Sequence, residues 1–431
     1  MSPESKVWER AEHVLPRGVS SGHRVGFEQV IVRGEGAYLW DANGRRHVDY
    51  LLAWGPIILG HCDPRVNAAV SRAMATCDLT GIGPQVAEVE AAEMVVRLMP
   101  SAEKVIFCTS GSDATLHAVH IARLATGRPK IVKFHGMYHG WHDQLAVGSL
   151  RADTTTSTPM NTPNGGGLHP GSVSDVIVVE WNDFDAVRAV FDGQGDTVAA
   201  IICEPYAHSF GCVPPASGFL EELQALAAAS GAALIFDEIK TGFRADLGGY
   251  QKVAGVIPDM TAFGKAVANG FSVAGLAGSD ELMGYAGAYA GDRATIDGTY
   301  NAAPHGMAAV VQTLTIMEEE GVIEATHAMA GRLRGGLSDA IKESGVAAVV
   351  AGFGSEWCLY FRDDAPRSFR EALDVDLDRQ RAYQRGMFER GFLEPAAPIG
   401  DKRLCAATTN EDIDRTVEAA TQVLAEIAAQ S

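Results

Sequence analysis

Short apolar runs alternate with amphipathic stretches through the middle of the chain, and this alternation limits the possible folds more than any other feature. The runs are KVIFCT, KIVKF, DVIVVE, VAAIIC and ALIFDE, and helical patterns lie between them at 113–124, 183–191 and 218–229. Strands that are apolar along their whole length are buried on both faces, which requires a parallel sheet covered by helices. The sequence therefore predicts an α/β fold with a mostly parallel sheet.

The two ends of the chain predict a smaller unit. SKVWERAEHVL has the spacing of an opening helix, and Asn43-Gly44 between two alternating segments indicates a hairpin. Beyond TYNAAP, strands near AAVVAG and EWCLYF come with helices at 376–390 and 410–429. We expect an N-terminal segment over 1–62, a large domain over 63–315 and a smaller α+β domain over 316–431.

Composition excludes several classes of function. The formal charge of −19 repels nucleic acid and anionic membranes, and no apolar run is long enough to span a bilayer. The N-terminal stretch carries charges in place of a signal peptide's apolar region. Seven scattered cysteines without a CxxC pattern are typical of reduced thiols. We therefore expect a cytoplasmic enzyme that acts on small molecules.

Three polar features follow predicted strands. Ser110, Gly111 and Ser112 open a helix, whose N-terminus stabilises an anion, although the same residues also make an ordinary cap. Asp237 closes ALIFDE, and Lys265 follows a further strand in TAFGKAVANG. A salt bridge and a solvent-exposed lysine are the plain alternatives for these two. Because strand ends meet at one edge of the sheet, together they suit pyridoxal 5'-phosphate, which needs a phosphate site, a carboxylate and a nucleophilic amine.

Several motifs, taken in order, resemble one known family. They are LPRGVSSGHRV, TSGSDAT, YHGWHD, IFDEIKTGFR, FGKAVANG, GTYNAAP and TTNEDIDRTVEAA. The chain resembles the class III aminotransferases of the fold-type-I pyridoxal-phosphate enzymes, over nearly its whole length, and within them the glutamate-1-semialdehyde aminomutase branch and related transaminases. The resemblance implies a homodimer whose small domain is built from both termini.

The resemblance also implies roles for individual residues. Lys265 would carry the cofactor as a Schiff base and move the reacting proton, and Asp237 would pair with the pyridine nitrogen. Tyr138 and Ile239 would lie on opposite faces of the cofactor ring. Gly111 and Ser112, beside Ser110, would bind the phosphate, and Thr299 would reach the phosphate bound by the other subunit. Glu204 would lie near the cofactor. Arg24 would bind a substrate carboxylate.

Departures from the mutase branch bear on the reaction. Gly400 in PIGDKRLCAA stands where that branch has a glutamate, and Ser209 stands where an asparagine lies near the cofactor's hydroxyl. We therefore predict a transaminase that moves an amino group from an amino acid or amine to a keto acid or aldehyde by ping-pong chemistry. A 2,1-aminomutase and a racemase or epimerase are the alternatives, because both use the same lysine.

A histidine cluster and a loop segment also bear on function. His135, His139 and His142 have a spacing that could bind zinc in a helix, but Gly136 and Gly140 argue against a helix, so we expect no metal. The segment 148–171 is rich in Thr, Pro and Gly and predicts a mobile lid over the substrate entrance.

A cofactor-binding regulator is a further alternative class of protein. It would need a DNA-binding extension, for which the sequence leaves no room.

Overall fold

The computed structural model describes residues 3–27, 29–149, 154–287, 291–395 and 399–430. The strands are β1 (Ile31–Glu35), β2 (Tyr38–Asp41), β3 (Arg46–Asp49), β4 (Lys104–Cys108), β5 (Lys130–Phe134), β6 (Val176–Val179), β7 (Val198–Cys203), β8 (Ala233–Glu238), β9 (Met260–Gly264), β10 (Ala274–Gly278), β11 (Ala286–Gly287), β12 (Ala294–Thr295), β13 (Val349–Ala351), β14 (Glu356–Tyr360), β15 (Phe392–Leu393) and β16 (Lys402–Arg403). The helices are α1 (Pro3–Val14), α2 (Pro64–Thr76), α3 (Val86–Leu98), α4 (Gly111–Thr126), α5 (Pro170–Ser174), α6 (Phe184–Gln194), α7 (Phe219–Ser230), α8 (Gly249–Ala254), α9 (Asp280–Met283), α10 (Pro304–Glu319), α11 (Val322–Ser344), α12 (Phe369–Leu373), α13 (Leu377–Glu389) and α14 (Asn410–Ala429).

The central sheet has seven strands in the order β4-β10-β9-β8-β7-β5-β6. The five strands from β9 to β6 are parallel, so the predicted α/β fold with a mostly parallel sheet is confirmed. The strand β10 was not predicted, and it runs antiparallel to both β4 and β9. Its sequence, AGLAG, lacks the branched side chains that mark strands. Gly275 is required there because a Cβ atom would lie 2.3 Å from the ring of Phe263.

Both faces of this sheet are buried, as the apolar runs predicted. Every residue of β7 and β8 is buried. Phe134 and Phe219 pack with Trp181 on one face, whereas Ile202 and Ile235 contribute to the core that includes α4 on the other. The parallel strands therefore point their carboxyl ends to a single edge, where the polar residues of interest lie.

The two ends of the chain meet in smaller sheets. The predicted hairpin is β2 and β3, joined through Gly44 with a φ of 83°. The strand β3 also pairs in parallel with β15, with Val48 opposite Phe392, so N-terminal and C-terminal segments share one sheet of order β1-β2-β3-β15. The strands β13, β14 and β16 form another sheet, and α11 packs on α14. The domain boundaries at 62 and 315 stay predictions.

The predicted lid falls partly on residues 150–153, which lie outside the described residues. Two backbone hydrogen bonds join its described part to residues 146 and 148. Gly148 N–H donates to the Thr162 carbonyl at 2.9 Å, and Asn164 N–H donates to the Ala146 carbonyl at 2.9 Å. The lid role itself stays a prediction. None of the described helices is long and apolar enough to cross a membrane.

Candidate active site

Lys265 lies directly after β9, at the carboxyl edge of the sheet, with a left-handed φ of 46°. Gly55 packs closely against its stem, since a Cβ atom at that position would lie 3.2 Å from Lys265 Cδ. Burial lowers the pKa of Lys265 to about 7, and the positive charges of Lys240 and Arg403 act in the same direction. Near pH 7 a substantial fraction of this amine is therefore neutral, and a neutral lysine amine is a competent nucleophile.

Asp237 is the penultimate residue of the adjacent strand β8 and is buried. Its Oδ2 accepts a hydrogen bond from Nδ1 of the buried His139 at 2.7 Å, and its Oδ1 accepts one from the Ile239 N–H at 3.1 Å. The side chain that binds the Asp237 carboxylate is thus a histidine. Each carboxylate oxygen keeps a second acceptor site, which a protonated ring nitrogen can use.

The three histidines weighed as zinc ligands have separate partners. His135 Nδ1 lies 3.3 Å from the Glu180 carboxylate, and His142 Nε2 lies 3.1 Å from the Thr115 hydroxyl. His139 binds Asp237, as described above. Sequence analysis missed this role of His139, although its position next to Tyr138 in YHG was available as a signal.

The N-terminus of α4 offers donors to an anion. Ser110 is the N-cap, and its hydroxyl accepts from the Asp113 N–H at 3.3 Å, so the capping alternative holds for this side chain. The first N–H groups of the helix, at Gly111 and Ser112, have no acceptor within the helix. A Cβ atom at Gly111 would lie 2.9 Å from Cδ1 of Ile239, so the glycine lets these two residues approach.

Tyr138 is held by its backbone at a loop beside this edge. Its N–H donates to the Ser209 hydroxyl at 3.0 Å, and its side chain is 40% exposed. Glu204 in turn accepts from the N–H groups of His208 at 2.8 Å and Ser209 at 3.0 Å, and from the Ser209 hydroxyl. Glu204 therefore orders the loop that positions Tyr138. The ring of His23 meets the Tyr138 ring edge to face at 5.6 Å.

A second buried lysine, which sequence analysis missed, organises the loop that carries Tyr138 and His139. Lys133 in β5 is fully buried, and burial lowers its pKa to about 7. Its Nζ lies within hydrogen-bond distance of four oxygens of the following segment: the carbonyls of Met137 (2.9 Å), Leu145 (3.2 Å) and Val147 (2.6 Å) and the hydroxyl of Ser149 (3.2 Å). Hydrogen bonds from the buried Lys133 therefore hold the loop from 137 to 149 in place.

A strained turn forms another wall of the site. Leu52, Ala53 and Trp54 have left-handed φ values of 44°, 54° and 68°. Such a conformation costs an L-residue about 1–2 kcal/mol, so the surroundings must enforce it. The Oδ1 atom of Asp49 accepts from the Leu52 N–H at 3.0 Å. The turn places the Trp54 ring 5.5 Å from the His23 ring, giving the site an aromatic rim.

The structure places Arg24 and Thr299 at the surface. Arg24 is exposed in a short turn, Gly22–Arg24, and forms no ion pair with any side chain in the described ranges. Thr299 is exposed and lines a cleft of about 290 Å³ with Thr109 and Asp113, which flank the N-terminus of α4 in the same chain. The contact of Thr299 with a second subunit stays a prediction.

An ion-pair network behind the site was not predicted. Asp401 accepts from the Lys240 ammonium at 2.9 Å and from the guanidinium of Arg403. Arg403 also lies 3.2 Å from Glu356, whose other oxygen lies 3.2 Å from His208 Nε2. Burial alone would raise the pKa of Asp401, but Arg403 and Lys240 hold it well below its usual range. His208, Glu356 and Asp401 are close enough to share a metal, but Arg403 already binds both carboxylates.

The fold and these residues define an enzyme class that binds a phosphorylated pyridine aldehyde through a lysine. Lys265 supplies the amine, Asp237 an acceptor for a ring nitrogen, and the N-terminus of α4 the donors for a phosphate. Gly111 also packs closely against Ile239, one of the two residues predicted to face the ring. The donor set therefore fits pyridoxal 5'-phosphate.

Comparison with known proteins gives the family. The aminotransferase class-III family model matches residues 20–375. Glutamate-1-semialdehyde 2,1-aminomutase of Thermomicrobium roseum is 39% identical over 99% of both chains. An omega-transaminase from Sphaerobacter thermophilus superposes with a TM-score of 0.92 at 29% identity, covering 99% of this chain and 98% of its own. A β-phenylalanine aminotransferase from Variovorax paradoxus superposes with a TM-score of 0.86 at 28% identity, covering 99% of this chain and 94% of its own. The chain belongs to the class III aminotransferases, and its cofactor is pyridoxal 5'-phosphate.

Proposed function

We propose that the protein is a pyridoxal-phosphate enzyme of the 2,1-aminomutase type, acting on glutamate-1-semialdehyde or a close analogue. The observation that carries the amine chemistry is the position of Lys265 and Asp237 at the ends of adjacent strands. The mutase reaction is supported by the relative named for it at 39% identity over 99% of both chains. This relative favours the alternative of the sequence analysis over the transaminase that Gly400 suggested.

In this proposal each side chain around the cofactor has its own role in the reaction. Bound pyridoxal phosphate supplies an electron sink for the reacting carbon. Lys265 would hold the cofactor through its amine and would take and return the proton at the reacting carbons. Asp237, oriented by His139 at 2.7 Å, keeps a positive charge on the ring nitrogen. Tyr138 and Ile239 would contact opposite faces of the ring.

The remaining contacts complete the proposed site. Gly111 and Ser112 would bind the phosphate, and Glu204 would order the loop beside the cofactor. We also propose a cytoplasmic homodimer in which Thr299 reaches the phosphate bound by the other subunit. The support is that Thr299 and Tyr300, the latter 65% exposed, lie on a surface loop beside the N-terminus of α4.

An intermolecular transaminase is the second candidate, and a specific observation favours it. Gly400 has no side chain where the mutase branch has a glutamate, and the carboxylate of Asp401 is already bound by Lys240 and Arg403. A site without that extra carboxylate would release its first product, as two-substrate exchange requires. The omega-transaminase with a TM-score of 0.92 supports the same candidate.

Incubation with glutamate-1-semialdehyde as the only substrate tests the proposal. We expect 5-aminolevulinate, the product of the 2,1-amino shift, to form without an added acceptor. The activity should disappear in Lys265→Ala and persist in Lys252→Ala, which removes a surface lysine paired with Asp246 at 3.0 Å. If 5-aminolevulinate does not form, but an amino donor and a keto acid exchange nitrogen, the mutase proposal is wrong and the transaminase is correct.

A further inference from the structure

The ammonium of Lys240 lies at the exposed end of the buried ion-pair network. Lys240 follows Ile239, which is predicted to face the cofactor ring. Its side chain is 17% exposed, whereas the side chains of Asp401 and Arg403, with which it forms the ion-pair network, are 2% and 0% exposed. Lys240 is therefore the member of this network that a ligand can reach.

The ammonium of Lys240 keeps an unused donor. It donates to the His208 carbonyl at 3.1 Å and to Asp401 Oδ1 at 2.9 Å. An ammonium has three N–H groups, so one is left without an acceptor in the part of the chain that the structure describes. A partly exposed cation with a free N–H is a binding position for an anion.

The Lys240 charge acts on the reaction chamber. It adds to burial in lowering the pKa of Lys265, and it adds to burial and to Lys265 in lowering the pKa of His23. Contacts also place the ammonium at the site: it donates to the carbonyl of His208, the residue before Ser209, whose hydroxyl accepts from the Tyr138 N–H at 3.0 Å. Arg403, which shares Asp401 with Lys240, lies beside Lys265, since a Cβ atom at Gly55 would lie 4.0 Å from Arg403 Nε and 3.2 Å from Lys265 Cδ.

Lys240 and Arg403 share the carboxylates of Asp401 and Glu356, and Arg403 contacts both. Arg403 is fully buried, so the ammonium of Lys240 is the exposed cation to which a substrate carboxylate can add as a further partner.

We propose that Lys240 is a specificity-determining residue that binds a carboxylate of the substrate. The inference rests on the proposed function and narrows the substrate class to amino or oxo acids, to the exclusion of simple neutral or basic amines. It applies equally to the mutase and to the transaminase, since either can use a carboxylate-bearing substrate.

Binding of an unreactive probe to the cofactor-loaded protein tests this role. Calorimetry would compare glutarate with its uncharged diamide, glutaramide, in the wild type, Lys240→Met and the control Lys252→Met. We expect the Kd for glutarate to rise at least about tenfold in Lys240→Met, as for a lost charged hydrogen bond, and to stay unchanged in Lys252→Met. The Kd for glutaramide should be the same in all three. A Kd for glutarate in Lys240→Met within twofold of the wild type would overturn the proposal.

A second variant separates carboxylate binding from folding. Lys240→Gln can still donate a hydrogen bond to Asp401 but carries no charge, so it should fold and yet bind glutarate as weakly as Lys240→Met. Wild-type binding of glutarate by Lys240→Gln would equally overturn the proposal. The wild-type cofactor absorbance and nitrogen transfer are measured beside these titrations. Their absence contradicts the proposed function, whereas an unchanged glutarate Kd contradicts the role of Lys240 alone.

Discussion

Replacing the buried Lys133 by methionine should change how the stability of the protein depends on pH. Burial lowers the pKa of this lysine from 10.5 to about 7. Between these two pH values the unfolded chain binds a proton that the folded protein does not, so the penalty of burying the charge is present below pH 7 and is relieved as pH rises. The contribution is about 1.4 kcal/mol per pH unit, or about 4–5 kcal/mol over the whole interval.

Urea unfolding of the cofactor-loaded protein at several pH values from 7 to 10 measures this effect. The matched control is Lys130→Met, on the same strand, where the ammonium binds the Gln194 side chain. Relative to Lys133→Met, the wild type should gain about 1.4 kcal/mol per pH unit, because the other titrating groups are common to both. The carbonyls that Lys133→Met leaves without a donor add a constant offset. A wild-type advantage that stays constant from pH 7 to 10, or an equal slope difference in Lys130→Met, would refute the reasoning.

Three other predictions concern the site itself. In the cofactor-free protein, trace acetylation of Lys265 followed by mass spectrometry should show a reactivity midpoint near pH 7, the value to which burial lowers its pKa, and a midpoint above pH 9 would contradict this. Asp237→Asn should lower kcat at least about 100-fold, or about 2.7 kcal/mol, because the ring nitrogen loses its anionic partner, and near-normal turnover would show that the assignment is wrong. Gly111→Ala should raise the cofactor Kd about tenfold, because the new Cβ atom would lie 2.9 Å from Ile239 Cδ1 and displace that side chain. The unfolding temperature of the cofactor-free protein should change little. A cofactor Kd equal to that of the wild type would count against the predicted contact of Ile239 with the ring.

The sheet could be predicted because its strands are apolar throughout. Each predicted run became a strand of the central sheet, and Ser110, Asp237 and Lys265 lie at its carboxyl edge as expected. The exception is β10, whose glycine and alanine residues carry no strand signal. Its position is fixed by packing, since Gly275 is the residue that fits against Phe263.

The contacts around the cofactor position could be predicted less well, because they join distant parts of the chain. Lys240 and Asp401 are 161 residues apart, and no local pattern marks their pairing. The left-handed turn at Leu52–Trp54 uses ordinary L-residues, so the sequence carries no glycine to reveal it. Lys133 in KIVKF has the strand pattern of a solvent-facing lysine, and only the loop that folds over it shows that it is buried.

Covalent attachment of the cofactor to Lys265 is the central claim, and one measurement tests it most directly. The protein is loaded with pyridoxal 5'-phosphate, reduced with sodium borohydride, digested and analysed by mass spectrometry. We predict one pyridoxyl-phosphate adduct, on the peptide that contains TAFGKAVANG, and loss of that adduct in Lys265→Ala. The lysines Lys133, Lys240 and Lys252 serve as internal controls in the same digest. An adduct on one of those lysines, or no adduct after loading, would contradict the account.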